Sequence, residues 1–145
     1  MIRRNLFQAI GAGALSVFLQ TGQSRAATPR IKVVYHLSDA DKASFVLGNI
    51  ANHQHAIGAP EDADIRLVVH GPALVAFSTK TMDVSFDERL NQLKDRGLKL
   101  EACGNTMRGA QLSLGDLASG FIVVEKGGVY RLAELQQAGF AYIRP

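Results

Sequence analysis

A chain of 145 residues has room for one domain with a proper core and no more, and a hydrophobic share of 47% with 20% charge is that of a globular protein. The formal charge of +3 is local: Arg3, Arg4 and Arg25 lie in the first 27 positions with no acidic residue, which leaves thirteen basic and thirteen acidic residues for the rest. A neutral body without a lysine-rich run or an interleaved basic and aromatic patch argues against nucleic acid as a partner.

Residues 1–26 read as an export signal. Arg3-Arg4 form a charged start, Ala9 to Leu19 a short apolar run, and Ser24-Arg25-Ala26 offers the small residues that a signal peptidase reads. The run has eleven residues, short of the roughly 20 that span a bilayer, so no stable membrane insertion is expected once the signal is removed. Arg3-Arg4-Asn5-Leu6-Phe7 resembles a twin-arginine signal, although Ile2 and Gln8 depart from its usual flanks. The expectation is cleavage after Ala26 and a domain of residues 27–145 in a bacterial periplasm. A mitochondrial presequence, an uncleaved anchor and a general secretory signal are the alternatives.

From Ala27 onward strand and helix signals alternate. Ile31 to Leu37 is a β-branched and aromatic run of strand length, with Ser38 as a helix cap and Asp39 and Asp41 in the first turn. A helix from Asp39 to about Ile57 puts Ala43, Val46, Leu47, Ile50 and Ala51 on one buried face. Phe45 points off that face, as a subunit contact or as one of the scattered exposed apolar residues of any protein. Gly58-Ala59-Pro60 ends the helix, and Ala63 to His70 is the second strand.

Gly71-Pro72 opens a short helical segment, Ala73 to Phe77, followed by the loop Ser78 to Met82. Asp83 caps a helix with Phe86, Leu90 and Leu93 on one side and Gly97 as its stop. The third strand is Leu98 to Cys103, followed by a helix from Thr106 to about Leu112. Phe121 to Glu125 is the fourth strand, Gly127-Gly128 its turn, Val129 to Ala138 a helix, and Phe140 to Ile143 a last strand. This alternation predicts an α/β fold with a parallel sheet covered on both faces.

In such sheets ligands sit beyond the carboxyl ends of the strands. Three polar residues fall there: His36, His70 and Cys103, the single cysteine. A thiol between a strand and a helix start faces unpaired N–H groups and the positive end of a helix dipole, both of which favour thiolate. Arg108 lies about one helical turn on and adds a cation, and Gly104 removes a side chain that would crowd the sulfur. In an oxidising compartment a lone cysteine is either inaccessible or kept for chemistry. Cys103 is therefore either a reactive thiol or a small buried hydrophobe.

Three readings stay open. The first is sulfur transfer, in which Cys103 takes a sulfane sulfur as a persulfide with help from His70 or His36. The second is a zinc or copper site made by His36, His70 and Cys103. The third is a binding or assembly module without turnover, whose strand-end histidines only bond nearby loops. His53 and His55, two apart on a helix, face different ways and read as an edge-of-core residue and a solvated one. Neither a Walker loop nor a dinucleotide fingerprint is present, and no cofactor is expected.

Three stretches carry a family resemblance: Val68-Val69-His70-Gly71-Pro72-Ala73, the run Leu93 to Leu98 leading to Cys103-Gly104-Asn105-Thr106-Met107, and the tail Leu135 to Pro145. With these the chain from Ile31 to Pro145 resembles the DsrE/DsrF-like family, small proteins related to sulfur-relay subunits. The resemblance implies a three-layer α/β/α sandwich with a five-stranded mostly parallel sheet, commonly assembled as trimers or hexamers. It also implies a persulfide-carrying cysteine after the third strand, onto which Cys103 falls; His70, His36, Asn105 and Arg108 are the candidate neighbours of that sulfur in this sequence. Its partners would be sulfur donor and acceptor proteins or small sulfur compounds. Relay subunits follow the cysteine with alanine-like residues and then arginines and a glycine; here Asn105-Thr106 replace the small residues and Arg108-Gly109 stand nearby.

Overall fold

The order of the sheet follows from how its strands are linked. In a computed structural model describing residues 30–145, β1 (Ile31–Leu37), β2 (Ala63–Val69), β3 (Lys99–Cys103), β4 (Phe121–Val124) and β5 (Ala141–Ile143) form one sheet in the order β4-β3-β2-β1-β5. All four pairings are parallel, where the expectation was mostly parallel. Three successive steps in one direction, from β1 to β4, and one long step back to β5 place the connecting helices on opposite faces, because parallel crossovers are right-handed. The proposed export segment, residues 1–26, lies outside the described residues.

One face packs under α1 (Ala43–Ile57) and α2 (Val84–Asp95). There Val33, Tyr35, Leu37, Ile65, Leu67, Val69, Leu100 and Ala102 meet Val46, Leu47 and Ile50 of α1, Leu90 and Leu93 of α2, and Leu74 and Phe77. Strand alternation sends Val34 and Val68 to the other face, where they meet Leu132 and Leu135 of α4 (Gly128–Gln137) and Phe140. That second layer is a single helix. The residues one step beyond Val34 and Val68 on this face are His36 and His70, so the alternation that buries the core also sets the imidazoles.

Several element boundaries differ from expectation. The first helix is preceded by a 3-10 turn, Ala40–Lys42, and Ser38 does not cap it, since its hydroxyl is taken by the Asp39 carboxylate at 3.3 Å and by Arg144 at 3.0 Å. The segment after β2 is a 3-10 helix over Gly71–Phe77, and β2 stops at Val69; His70 is still extended, and its N–H bonds to the Leu37 carbonyl at 3.1 Å. The helix after β3, α3 (Gly104–Gly109), begins two residues earlier than expected and ends before Gln111, which has a φ of 52°. Asp83 caps α2 as expected, its carboxylate accepting the Phe86 N–H at 2.8 Å.

Among the described residues no helix is long and apolar enough to cross a membrane. Phe45 is 61% exposed, consistent with either of its two readings.

Candidate functional site

Cys103 ends β3 opposite Val124 of β4 and serves as the residue before the first turn of α3. Glu101, two residues earlier, faces Arg131 of α4, so the sulfur also lies on the α4 side of the sheet. Only 5% of Cys103 is exposed. What covers it is mainly backbone: a Cβ on Gly127 would stand 3.9 Å from the sulfur, and one on Gly128 would stand 3.4 Å from the Cys103 Cβ. Gly127 has a φ of +96°, and a side chain there would also run into Asn105 Nδ2 at 2.5 Å. The turn can close over the thiol only because both positions are glycine.

The Thr106 hydroxyl and the backbone N–H groups of Gly128, Thr106 and Asn105 lie around the sulfur and favour its charged form, although no side-chain cap bond closes from Cys103 to α3. Burial pushes its pKa up, but these donors together pull it below the ordinary thiol value. The Gly128 N–H belongs to the start of α4, so a second helix start meets the thiol besides that of α3. Thr106 is itself held, since its Oγ1 accepts the Gly71 N–H at 2.9 Å. A donor chain therefore runs from the β2 loop to the sulfur.

Two expectations about the neighbours need correction. Gly104 is required less by the sulfur than by β4, because its Cβ would stand 3.0 Å from the Val124 carbonyl and 3.2 Å from the Glu125 Cα. Arg108 does not add its charge to the sulfur: its guanidinium donates to the Glu125 carboxylate at 3.0 Å, to the Glu125 carbonyl at 3.3 Å, and to Asn105 Oδ1 at 2.5 Å. Arg108 and Asn105 thus brace the Glu125–Gly128 turn that covers Cys103. The attraction of an adjacent carboxylate and two carbonyl oxygens outweighs that of a thiol one turn away.

His70 lies beside Cys103. The register pairs Val69 with Ala102, and a Cβ on Gly128 would stand 3.2 Å from the His70 Cβ and 3.4 Å from that of Cys103. The His70 Nε2 meets His36 Nε2 at 2.6 Å, and His36 Nδ1 meets the Tyr142 hydroxyl of β5 at 2.6 Å. Burial lowers the pKa of His36 to about 4, helped by His70 and Arg144 and opposed by Asp39. His70 is lowered as well, first by burial and then by Arg144. Both rings are neutral near pH 7. Cys103, His70, His36 and Tyr142 follow one another in the order β3, β2, β1, β5 along the sheet edge.

The metal reading does not assemble. Among the described residues no group of three or more His, Cys, Asp or Glu side chains is placed to share an ion. The two Nε2 atoms point at one another, and the sulfur is ringed by N–H and O–H donors, which compete with a cation for its lone pairs. His53 and His55 fall as expected, the first half-buried with its Nδ1 2.9 Å from the Tyr35 hydroxyl, the second exposed.

Sequence reasoning missed Thr106, Tyr142 and the wholly buried Glu101. Glu101 accepts Arg66 at 3.1 Å and Arg131 at 2.6 and 3.1 Å, which ties α4 to the sheet beneath the thiol. A signal for it existed: a carboxylate two residues before Cys103 must share the sulfur's face, and burial there demands partners.

Comparison with known proteins fits this geometry. The model of the DsrE/DsrF-like family matches residues 32–145. The chain belongs to that family. This DsrE-like domain is also similar to a protein of unknown function, MTH1491, from Methanobacterium thermoautotrophicum, at 26% identity over 79% of this chain and 99% of that one, with a TM-score of 0.68. It shares its fold with the ychN protein of E. coli, at 12% identity, 79% and 100% coverage and a TM-score of 0.56. The same holds for BT1422 of Bacteroides thetaiotaomicron, a conserved protein of unknown function, at 16% identity, 79% and 95% coverage and a TM-score of 0.56. No curated protein matches the chain.

Proposed function

We propose that this DsrE-like protein accepts sulfane sulfur on Cys103 as a persulfide and passes it to a thiol acceptor. The observation that carries the reading is the place of the thiol, at the end of β3 before α3 and under the Gly127–Gly128 turn, with the Thr106 hydroxyl and the N–H groups of Gly128, Thr106 and Asn105 around it. Such a set stabilises the Cys103 thiolate, both as the nucleophile that takes up sulfur and as the leaving group when the persulfide is discharged.

The step balances without an oxidant. The Cys103 thiolate attacks the outer sulfur of a persulfide or polysulfide donor, a new S–S bond forms, and the bond to the inner sulfur breaks. The inner sulfur leaves as a thiolate and takes up one proton, equivalent to the one Cys103 gave. Attack of an acceptor thiol on the outer sulfur reverses these events and restores Cys103.

Alkylation of Cys103 by iodoacetamide across a pH series tests the reading. A titration midpoint below that of a free thiol is expected; an unreactive sulfur, or one titrating at or above the free-thiol value, rejects it. The competing reading, an assembly module without turnover, draws on the 5% exposure of Cys103 and predicts that unreactive result.

Location and assembly belong to the same proposal. The charged start and apolar run of residues 1–26 support export to the periplasm, where sulfide-derived sulfur compounds rather than cytoplasmic relay partners would be met. Fractionation of cells expressing the full chain, with and without R3K and R4K together, tests twin-arginine export. Self-assembly as trimers or hexamers rests on the family resemblance and is read by sedimentation velocity.

A further inference from the structure

His36 sits between two partners in one string. Its Nε2 is 2.6 Å from the Nε2 of His70, and its Nδ1 is 2.6 Å from the Tyr142 hydroxyl of β5. The two rings lie 22° from coplanar with centroids 4.7 Å apart, so they meet end to end along the line between the Nε2 atoms. At that separation one hydrogen fits between the nitrogens and two do not. Each link takes one proton, and a neutral imidazole supplies one N–H, so the string is satisfied when both rings are neutral.

A first extra proton fits the same count. It binds His70 Nδ1, which lies outside both links; His70 Nε2–H then donates to His36, His36 Nδ1–H donates to the Tyr142 oxygen, and the bond between the rings becomes charge-assisted. A second extra proton does not fit. The ring nitrogen left to take it is His36 Nε2, where its hydrogen would face that of His70 across 2.6 Å and put a second cation on a residue only 8% exposed. The rings must then part, and His36 must reach water.

The cover that yields most readily is β5. Strands β1 and β2 are paired on both sides, whereas β5 is an edge strand of three residues paired with β1 alone. Beyond Tyr142 the tail is tied by Arg144 to Asp39 at 3.4 Å, an exposed pair of small worth, and by Lys42 to the Pro145 carbonyl at 3.1 Å. The charged and titratable groups around the string are Asp39 after β1, Arg144 after β5 and, past His70, the Cys103 thiol of β3; α4 presents Gly128 to it. Burial first and the His70 charge second hold His36 at about 4, which makes it the later of the two to take a proton.

We propose that His70, His36 and Tyr142 form a two-stage acid switch on the C-terminal strand: the imidazole pair takes one proton with the fold unchanged, and the second proton frees β5 from β1. Both stages are protonations from solvent and reverse on neutralisation. The switch stands whether or not Cys103 takes up sulfur.

Nitrogen-15 imidazole spectra and amide hydrogen exchange of the full chain, followed together from about pH 7.5 to about pH 3.5, test it. His70 is expected to titrate first, on Nδ1, with the paired amides of β5 still protected. His36 is expected to titrate second, and over that step β5 protection falls at least about tenfold while that of β3 holds. H70Q separates the switch from a general effect of acid, because a glutamine side chain can turn its oxygen toward an imidazolium. In H70Q the His36 titration should move to higher pH than in the wild type, and β5 should stay protected through it. Should H70Q fail to fold, H36Q, which cannot take the second proton, should keep β5 protected until the whole sheet opens. Rings that titrate together under a protected β5, or a wild-type β5 that opens only with the whole sheet, overturn the switch. So does an H70Q protein that loses β5 as His36 titrates.

Discussion

Arg131 Nε donates to the Glu101 carboxylate at 2.6 Å, and Glu101 is wholly buried. Arg66 holds the same carboxylate from β2 at 3.1 Å, and its guanidinium lies 4.9 Å from the centre of the Phe140 ring. The pair of guanidiniums offsets the cost of burying one carboxylate, and Arg131 fixes the first turns of α4, whose leading N–H reaches Cys103. Replacing Glu101 by Ala leaves both arginines without their shared partner beneath α4. A loss of about 3–5 kcal/mol is expected in urea denaturation, whereas R131M, which leaves Glu101 its Arg66 contact, should cost less.

Thr106 joins two loops through one hydroxyl, accepting from Gly71 and donating to Cys103. Thr106→Val keeps the shape and removes both bonds. The thiol pKa should rise, so that alkylation at a pH below the midpoint slows. An unchanged rate-against-pH curve would show that the backbone N–H groups alone set the thiolate. Stability should fall by about 1–2 kcal/mol, since the Gly71 N–H is left without its acceptor.

The histidine string fixes a pH dependence of stability. His36 titrates at about 4 in the fold and near 6.5 in an unfolded chain, so between those values the unfolded state binds the extra proton. Stability contributed by the neutral ring is complete above about pH 6.5 and falls as the pH drops toward 4, by up to about 1.4 kcal/mol per pH unit. His70, lowered in the same direction, adds to the slope. Urea midpoints measured from pH 7 to 4 should show the decline, and H36Q should flatten it.

The layered α/β arrangement, the three polar strand ends and the glycine turns could be read from the chain because each depends on short-range signals: alternation along Ile31–Leu37, the 3.6-residue face of Ala43 to Ile50, and punctuation at Gly97 and Gly127. What was not legible depends on contacts across the sheet. Arg108 lies near Cys103 in sequence, but its partner Glu125 comes from the next strand's exit. Tyr142 is 106 residues from His36, and only the parallel pairing of β5 with β1 brings them together. Thr106 departs from the relay pattern in sequence; the fold sets its hydroxyl beside the sulfur, where it accepts the Gly71 N–H.

The central claim is that Cys103 carries sulfur, and intact mass after incubation with inorganic polysulfide reads it most directly. Cys103→Ser is the control, since a serine oxygen can accept the same donors and should change stability by no more than about 1 kcal/mol. The prediction is a gain of one sulfur atom in the wild type, reversed by an added thiol and absent from C103S. A wild type that gains no mass, or a C103S protein that gains as much, would contradict it.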